Sequence, residues 1–190
     1  MDQHLKETRL SSELAYDGHF LQIQKDAIRL PDGKSATREF IRHPGAVVIL
    51  PLLDDGRVLM ERQFRYPLDR VMIEFPAGKI DAGEDVLVCA QRELREETGY
   101  TASDWQFVCT IHNAIAYSDE HLEIFIARRL VAGPAKLDDG EFLETFTATP
   151  EELMSLVRSG AITDVKTIIG IFWLEKILAG QWHTGESSAV

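Results

Sequence analysis

The sequence predicts an α/β fold, a mixed-sheet sandwich with a β-hairpin extension at its N-terminus. Three observations carry that expectation. Strand-like segments fill the first half, one amphipathic helix interrupts them, and further strands and then two helices close the chain. This order does not alternate strand and helix regularly, so the sheet is expected to be mixed rather than uniformly parallel. The 190 residues, 45% of them apolar, suffice for a core of their own without disulfide staples.

The elements follow in order. Met1–Ser12 is polar and has no apolar h-region, so no signal peptide is expected. Residues 18–42 read as a hairpin: Phe20–Leu30, a Pro31-Asp32-Gly33 turn, then Ser35–Ile41. After His43-Pro44-Gly45, the β-branched run Ala46–Leu53 reads as a buried strand. Asp54-Asp55-Gly56 turns the chain into Arg57–Phe64, where Val58, Met60, Arg62 and Phe64 alternate as on a half-buried strand. Val71–Phe75 is a short strand closed by Pro76-Ala77-Gly78. A helix is expected over Asp85–Thr98, with Gly99 ending it. Strands recur at Trp105–His112, Leu122–Leu130 and Phe142–Ala148. Pro150 opens a helix at its first position, ending near Gly160; a last helix runs Asp164–Ala179. Residues 184–190 read as a frayed tail.

Charge narrows the function classes. Twenty Lys plus Arg against 31 Asp plus Glu leave a net charge of −11. Such a surface argues against nucleic acid and anionic membrane as partners, since both require basic patches. It is also awkward for a phosphate-handling enzyme unless metal cations mediate. Cys89 and Cys109 have no CxxC pairing, which fits reduced thiols in a cytoplasmic protein. The longest apolar runs are too short to span a bilayer.

One helix breaks a local rule. Over Arg92-Glu93-Leu94-Arg95-Glu96-Glu97, Glu93 stands three and four residues from Glu96 and Glu97, so three carboxylates crowd nearly one face. They repel one another, and the helix C-terminus disfavours anions. Val86, Ala90 and Leu94 supply an inner face that turns the acids toward a rim. Arg92–Glu96 could be an ordinary ion pair on a solvated helix. Clustered hard oxygen ligands instead suit Mg²⁺.

The surroundings make the signal specific. Gly78, five residues, Glu84, seven residues, then Arg92-Glu93-Leu94-Arg95-Glu96-Glu97-Thr98-Gly99-Tyr100 resembles the Nudix box, Gly-x5-Glu-x7-Arg-Glu-U-x-Glu-Glu-x-Gly-U with U apolar. Every fixed position matches. Gln63-Phe64-Arg65, Glu74-Phe75-Pro76-Ala77-Gly78 and His43-Pro44-Gly45 further resemble the branch of ADP-ribose and nucleoside-diphosphate-sugar pyrophosphatases. The resemblance implies a Nudix-type α/β/α sandwich over 43–183, preceded by a β extension over 1–42 that serves dimerisation and part of the substrate pocket. It implies a homodimer, and hydrolysis of a nucleoside-diphosphate sugar with Mg²⁺ or Mn²⁺, two to three ions per site.

Residue by residue, it implies Glu93 and Glu97 as main metal ligands, Glu96 as an auxiliary one and the Ala77 carbonyl as another. Glu84 and Arg92 become organisers, Arg92 through a bidentate carboxylate pair. Gly78 and Gly99 would permit backbone conformations other residues resist. Glu141 matches the family's general base and is a further metal ligand, with Glu144 the runner-up. Arg38 and Arg65 are candidates for phosphate or ribose contacts or else ion pairs; Tyr117 either shapes the substrate pocket or simply packs, and Glu120 is placed at that pocket. One departure concerns specificity: members selective for ADP-ribose carry a Pro where this chain has Ile115. That leaves room for GDP-mannose or other sugar nucleotides. The competing readings are dinucleoside polyphosphate specificity, a non-catalytic ligand-sensing module, which an intact box disfavours, and an isomerase, for which neither cysteine is well placed.

Overall fold

The computed structural model describes residues 2–137 and 140–184. The expected tail beyond Thr184 and the Asp138-Asp139 pair lie outside the described residues. The chain divides into two compact units: Met1–Pro44 with His112–His121, and Gly45–Ile111 with Leu122–Val190.

The first unit is built on a three-stranded antiparallel sheet, β1 (Thr8–Asp17), β2 (Gln22–Arg29) and β3 (Ser35–Arg42), in that order. β2 and β3 form the hairpin read from the sequence, and Pro31-Asp32-Gly33 lies in the turn between them. β1 was not expected. Its ten residues are all exposed, Leu10, Leu14 and Tyr16 included, so no inward hydrophobic run announces it. The 112–121 segment joins this unit through a parallel bridge between Ile41 and Ser118.

The second unit carries two sheets. In the larger, β7 (Ala77–Lys79), β4 (Ala46–Pro51), β9 (Leu122–Ala132) and β8 (Tyr100–Ile111) lie side by side, with β4 and β9 parallel and the other pairs antiparallel. In the smaller, β5 (Val58–Arg65) is flanked by β10 (Leu143–Ala148) and β6 (Arg70–Glu74). Every residue of β4 is buried, as its β-branched run predicts. On one face Val47 and Ile49 meet Cys89, Ala90 and Leu94 of α1 (Val86–Thr98). On the other, Val48 and Leu50 join Leu153 of α2 (Pro150–Ser159) and Ile171 and Leu174 of α3 (Val165–Leu178). The expected α/β sandwich is the observed one.

Two strand readings are corrected. β8 begins at Tyr100, directly after the helix, rather than at Trp105. In β5 the alternation fails: Val58, Leu59, Met60 and Glu61 are all buried, whereas Arg62 and Phe64 are exposed. A strand central to its sheet and covered on both faces at one end leaves no period-two signature.

Candidate active site

Helix α1 starts where Asp85 accepts hydrogen bonds from the Leu87 and Val88 amides at 2.9 and 3.1 Å. It ends at Gly99, whose φ of 77° is the left-handed conformation expected at this position. A Cβ on Gly99 would also meet the Gly133 carbonyl oxygen at 2.3 Å. The three acids are not equivalent. Glu97 stands seven residues after Ala90 and three after Leu94, so it continues the apolar stripe and is only 4% exposed. The expected rim position is therefore wrong for Glu97, while Glu93 and Glu96 keep 12% and 26% of their side chains exposed.

Arg92 organises the cluster as its box position implies. Its Nε and Nη2 donate to the two Glu84 oxygens at 2.8 Å each, a bidentate fork that holds the Glu84 carboxyl down to about 2. Nη1 donates to Glu93 Oε1 at 2.7 Å and Glu96 Oε2 at 3.1 Å. Arg92–Glu96 is thus an ion pair, but one strand of a four-residue network. The Ala77 amide donates to Glu97 Oε2 at 3.0 Å, fastening the helix end to β7.

Gly78 needs a different reason from the one expected. It is not among the residues with positive φ. A Cβ there would instead meet the Glu93 carboxyl carbon at 1.9 Å, so the missing side chain makes a seat for that carboxylate. Burial raises the Glu97 carboxyl well above its ordinary range, helped by the charges of Glu61, Glu93 and Glu141. Burial also raises Glu93, joined by Glu96 and Glu141 and opposed by Arg92.

Glu141 comes to this cluster from the loop before β10. Gln63 Nε2 donates to its Oε1 at 3.3 Å, and its charge acts on Glu61, Glu93 and Glu97. Glu144 is placed otherwise, 79% exposed and 3.5 Å from Arg62 Nη1. Arg65 has both donors on Glu74, at 2.6 and 2.9 Å, and Lys166 Nζ also bonds Glu74. Although burial works to raise Glu74, these partners hold it below the usual carboxylate value. The Arg65 fork is therefore committed to an ion pair with the buried Glu74, while its own side chain stays partly exposed.

In the first unit, Arg38 forks onto Glu7, with Nε 3.0 Å from Oε2 and Nη2 on Oε1. Tyr117 is exposed and lines a cleft of about 530 Å³ with Arg9, Asp26, Arg38 and Phe40. Glu120 lies 3.6 Å from His43 Nε2. Both cysteines are free; burial pushes the Cys89 thiol up to about 12 and Cys109 to about 11, so neither is activated.

One residue escaped the sequence reading. Glu61 on β5 is fully buried, and neither carboxylate oxygen has a hydrogen-bond partner among the described residues. Burial, with the Glu74 charge beside it, pushes its carboxyl up to about 8. The signal was there: a Glu directly after the apolar Val58-Leu59-Met60 run.

The donor set is hard oxygen throughout, partly buried and with one carboxylate unpartnered, which suits a small divalent cation. Among the described residues no three such side chains are already gathered at ligand distances. Arg92 holds Glu93 and Glu96, and the Ala77 amide holds Glu97.

Comparison with known proteins finds similarity over most of the chain. Residues 42–168 match the NUDIX domain model, and residues 7–41 match the nucleoside diphosphate sugar hydrolase N-terminal domain. An ADP-ribose pyrophosphatase of Bacillus subtilis (strain 168) is 37% identical over 173 residues, covering 90% of this chain and 94% of its own. A methanol dehydrogenase activator of Bacillus methanolicus is 32% identical over 177 residues, covering 92% and 96%. The crystal structure of an ADP compounds hydrolase superposes with a TM-score of 0.84 at 25% identity, covering 93% of this chain and 96% of that one.

Proposed function

We infer the chemistry from one fact: the chain belongs to the Nudix family. It is a hydrolase of that family, and Nudix hydrolases use a divalent metal. The reaction we assign is hydrolysis of the diphosphate bond in nucleoside-diphosphate sugars, giving a nucleoside monophosphate and a sugar phosphate. ADP-ribose is the first substrate, in keeping with the names of the relatives. Ile115 in place of a Pro argues for a second sugar nucleotide cleaved at a comparable rate.

The observation that carries this reading is the convergence of Glu93, Glu97 and Glu141 beside Gly78, with Arg92 locked to Glu84. Glu93 and Glu97 would hold the metal, Mg²⁺ or Mn²⁺ at two to three ions per site, with Glu96, Glu141 and the Ala77 carbonyl as further ligands. That metal supplies charge compensation for the diphosphate and acidifies a water. The residues supply the rest. Arg92 keeps Glu93 and Glu96 from swinging into solvent, and Gly78 gives Glu93 its seat. Gln63 orients Glu141, whose carboxylate takes the proton as the water oxygen bonds phosphorus and the phosphate leaving group departs. The position of Glu144 on the exposed side, beside Arg62, favours Glu141 as the base.

Assembly belongs to the same proposal. Residues 1–42 form the dimerisation extension and 43–183 the catalytic domain of a cytoplasmic homodimer that binds no nucleic acid. Support comes from β1, the edge strand of its three-stranded sheet, where Leu10, Leu14 and Tyr16 are 48, 46 and 56% exposed. Arg38 would serve the substrate from this extension and Tyr117 from the 112–121 segment of the same unit, and Arg65 would act through Glu74. Among the described residues no helix is long and apolar enough to cross a membrane. The test is a panel of ADP-ribose, GDP-mannose, UDP-glucose and dinucleoside polyphosphates with Mg²⁺. Release of AMP from ADP-ribose at or near the highest kcat/KM supports the assignment. Preference for a dinucleoside polyphosphate would replace it.

A further inference from the structure

Glu61 is placed where an acid is hardest to keep. It sits on the central strand of its sheet, is 0% exposed, and has no partner for either oxygen among the described residues. Its cross-strand neighbours are Thr145 on β10 and Glu74 on β6. Two acids directly opposite destabilise a pair of strands. The two nearby cations, Arg65 and Lys166, relieve this only in part: their charges act on Glu61, but neither bonds it, and burial with the Glu74 charge outweighs them. Arg65 and Lys166 both bond Glu74, and Lys166 bonds Asp164 as well. Glu74 is therefore hydrogen-bonded to both cations and Glu61 to neither. Burial drives a carboxyl left so toward its neutral form, and keeping it ionised without a partner would cost several times what a neutral polar group does.

What surrounds Glu61 points to its use. The acids that act on it electrostatically include Glu141, and it acts in turn on Glu97. Both belong to the cluster assigned above to metal and base, but Glu61 reaches that cluster from a strand that the box does not contain. We propose that Glu61 is a further carboxylate of the divalent-cation site, a ligand contributed by β5 in addition to those of the α1 helix. The inference rests on the metal-site reading of Glu93 and Glu97. It explains why an unpaired acid stands at this position, since a dication supplies the partner that neither Arg65 nor Lys166 provides.

Binding of Mn²⁺ to the 190-residue protein, followed by loss of the free-ion electron paramagnetic resonance signal, tests it without substrate. Wild type, Glu61→Gln and Glu97→Gln are compared, each checked for folding by circular dichroism. Loss of a ligand costs at least what loss of an outer partner does, about tenfold in affinity. Glu61→Gln should therefore weaken Mn²⁺ binding by about tenfold or more, or remove one ion from the stoichiometry. Glu61→Met, similar in length and apolar, reports in the same way if the Gln variant does not fold. If Glu97→Gln weakens binding and both Glu61 variants bind as wild type, the proposal is overturned and the metal site stands. If Glu97→Gln also binds as wild type, the metal-site reading itself fails, and the role given to Glu61 fails with it.

Discussion

At Glu93 and Glu97, losing a charge has opposite consequences for stability and for turnover. Burial and mutual repulsion already raise both carboxyls, so Glu93→Gln or Glu97→Gln should leave the metal-free melting temperature unchanged or higher. Turnover with Mg²⁺ should fall by at least about 10²-fold, more than outer-sphere partners cost. Thermal melts beside steady-state assays check this, and near wild-type turnover at saturating Mg²⁺ would refute the ligand assignment. Glu141→Gln should lose about 10²–10⁴-fold in kcat with little change in KM. Glu144→Gln should lose little, and the reverse pattern would move the base. Much of this site was legible from the sequence because the box fixes residue types at fixed spacings. Glu61 was not, because its meaning depends on which cations Glu74 has already taken, and that is settled by the β5–β6 register and by the packing of α3, which brings Lys166 to Glu74.

Helix α1 and the turns at its ends carry the precision of the site. Gly78→Ala would put a methyl group 1.9 Å from the Glu93 carboxyl carbon. The end of a flexible side chain can move aside, so the fold should survive while Mg²⁺-dependent turnover collapses. Gly99→Ala meets a fixed backbone oxygen at 2.3 Å in a left-handed conformation, so it should instead cost stability, about 1–3 kcal/mol by denaturant titration. A Gly99→Ala protein as stable as wild type would show that this helix end is not held as described. Both glycines stood out in the sequence, but only the structure separates a position that needs a positive φ from one that needs empty space. The same limit explains β1. Thr8, Leu10, Ser12, Leu14 and Tyr16 alternate weakly, but a strand exposed along its whole length carries no burial pattern to read.

For the molecule as a whole, the buried acids predict a pH dependence of stability that metal should abolish. Glu61, at about 8, and the raised Glu93 and Glu97 bind more protons in the folded chain than in the unfolded one above about pH 4.5. Stability of the metal-free protein should therefore fall as pH rises from about 5.5 to 8.5. Glu84, held at about 2, stabilises the fold above its unfolded value and loses that effect only in acid, outside this window. Differential scanning calorimetry with EDTA should show a melting temperature lower by at least about 3 °C at the upper pH, and saturating Mg²⁺ should flatten the difference. An equal slope with and without metal would separate these acids from the metal site. The measurement that bears most directly on the function is ³¹P NMR of ADP-ribose incubated with the protein and Mg²⁺. The assignment requires the diphosphate signals to be replaced by those of AMP and ribose 5-phosphate, and the Glu141→Gln protein to leave them almost unchanged over the same time. Diphosphate signals that persist with folded wild-type protein, for ADP-ribose and for the other sugar nucleotides alike, would contradict it.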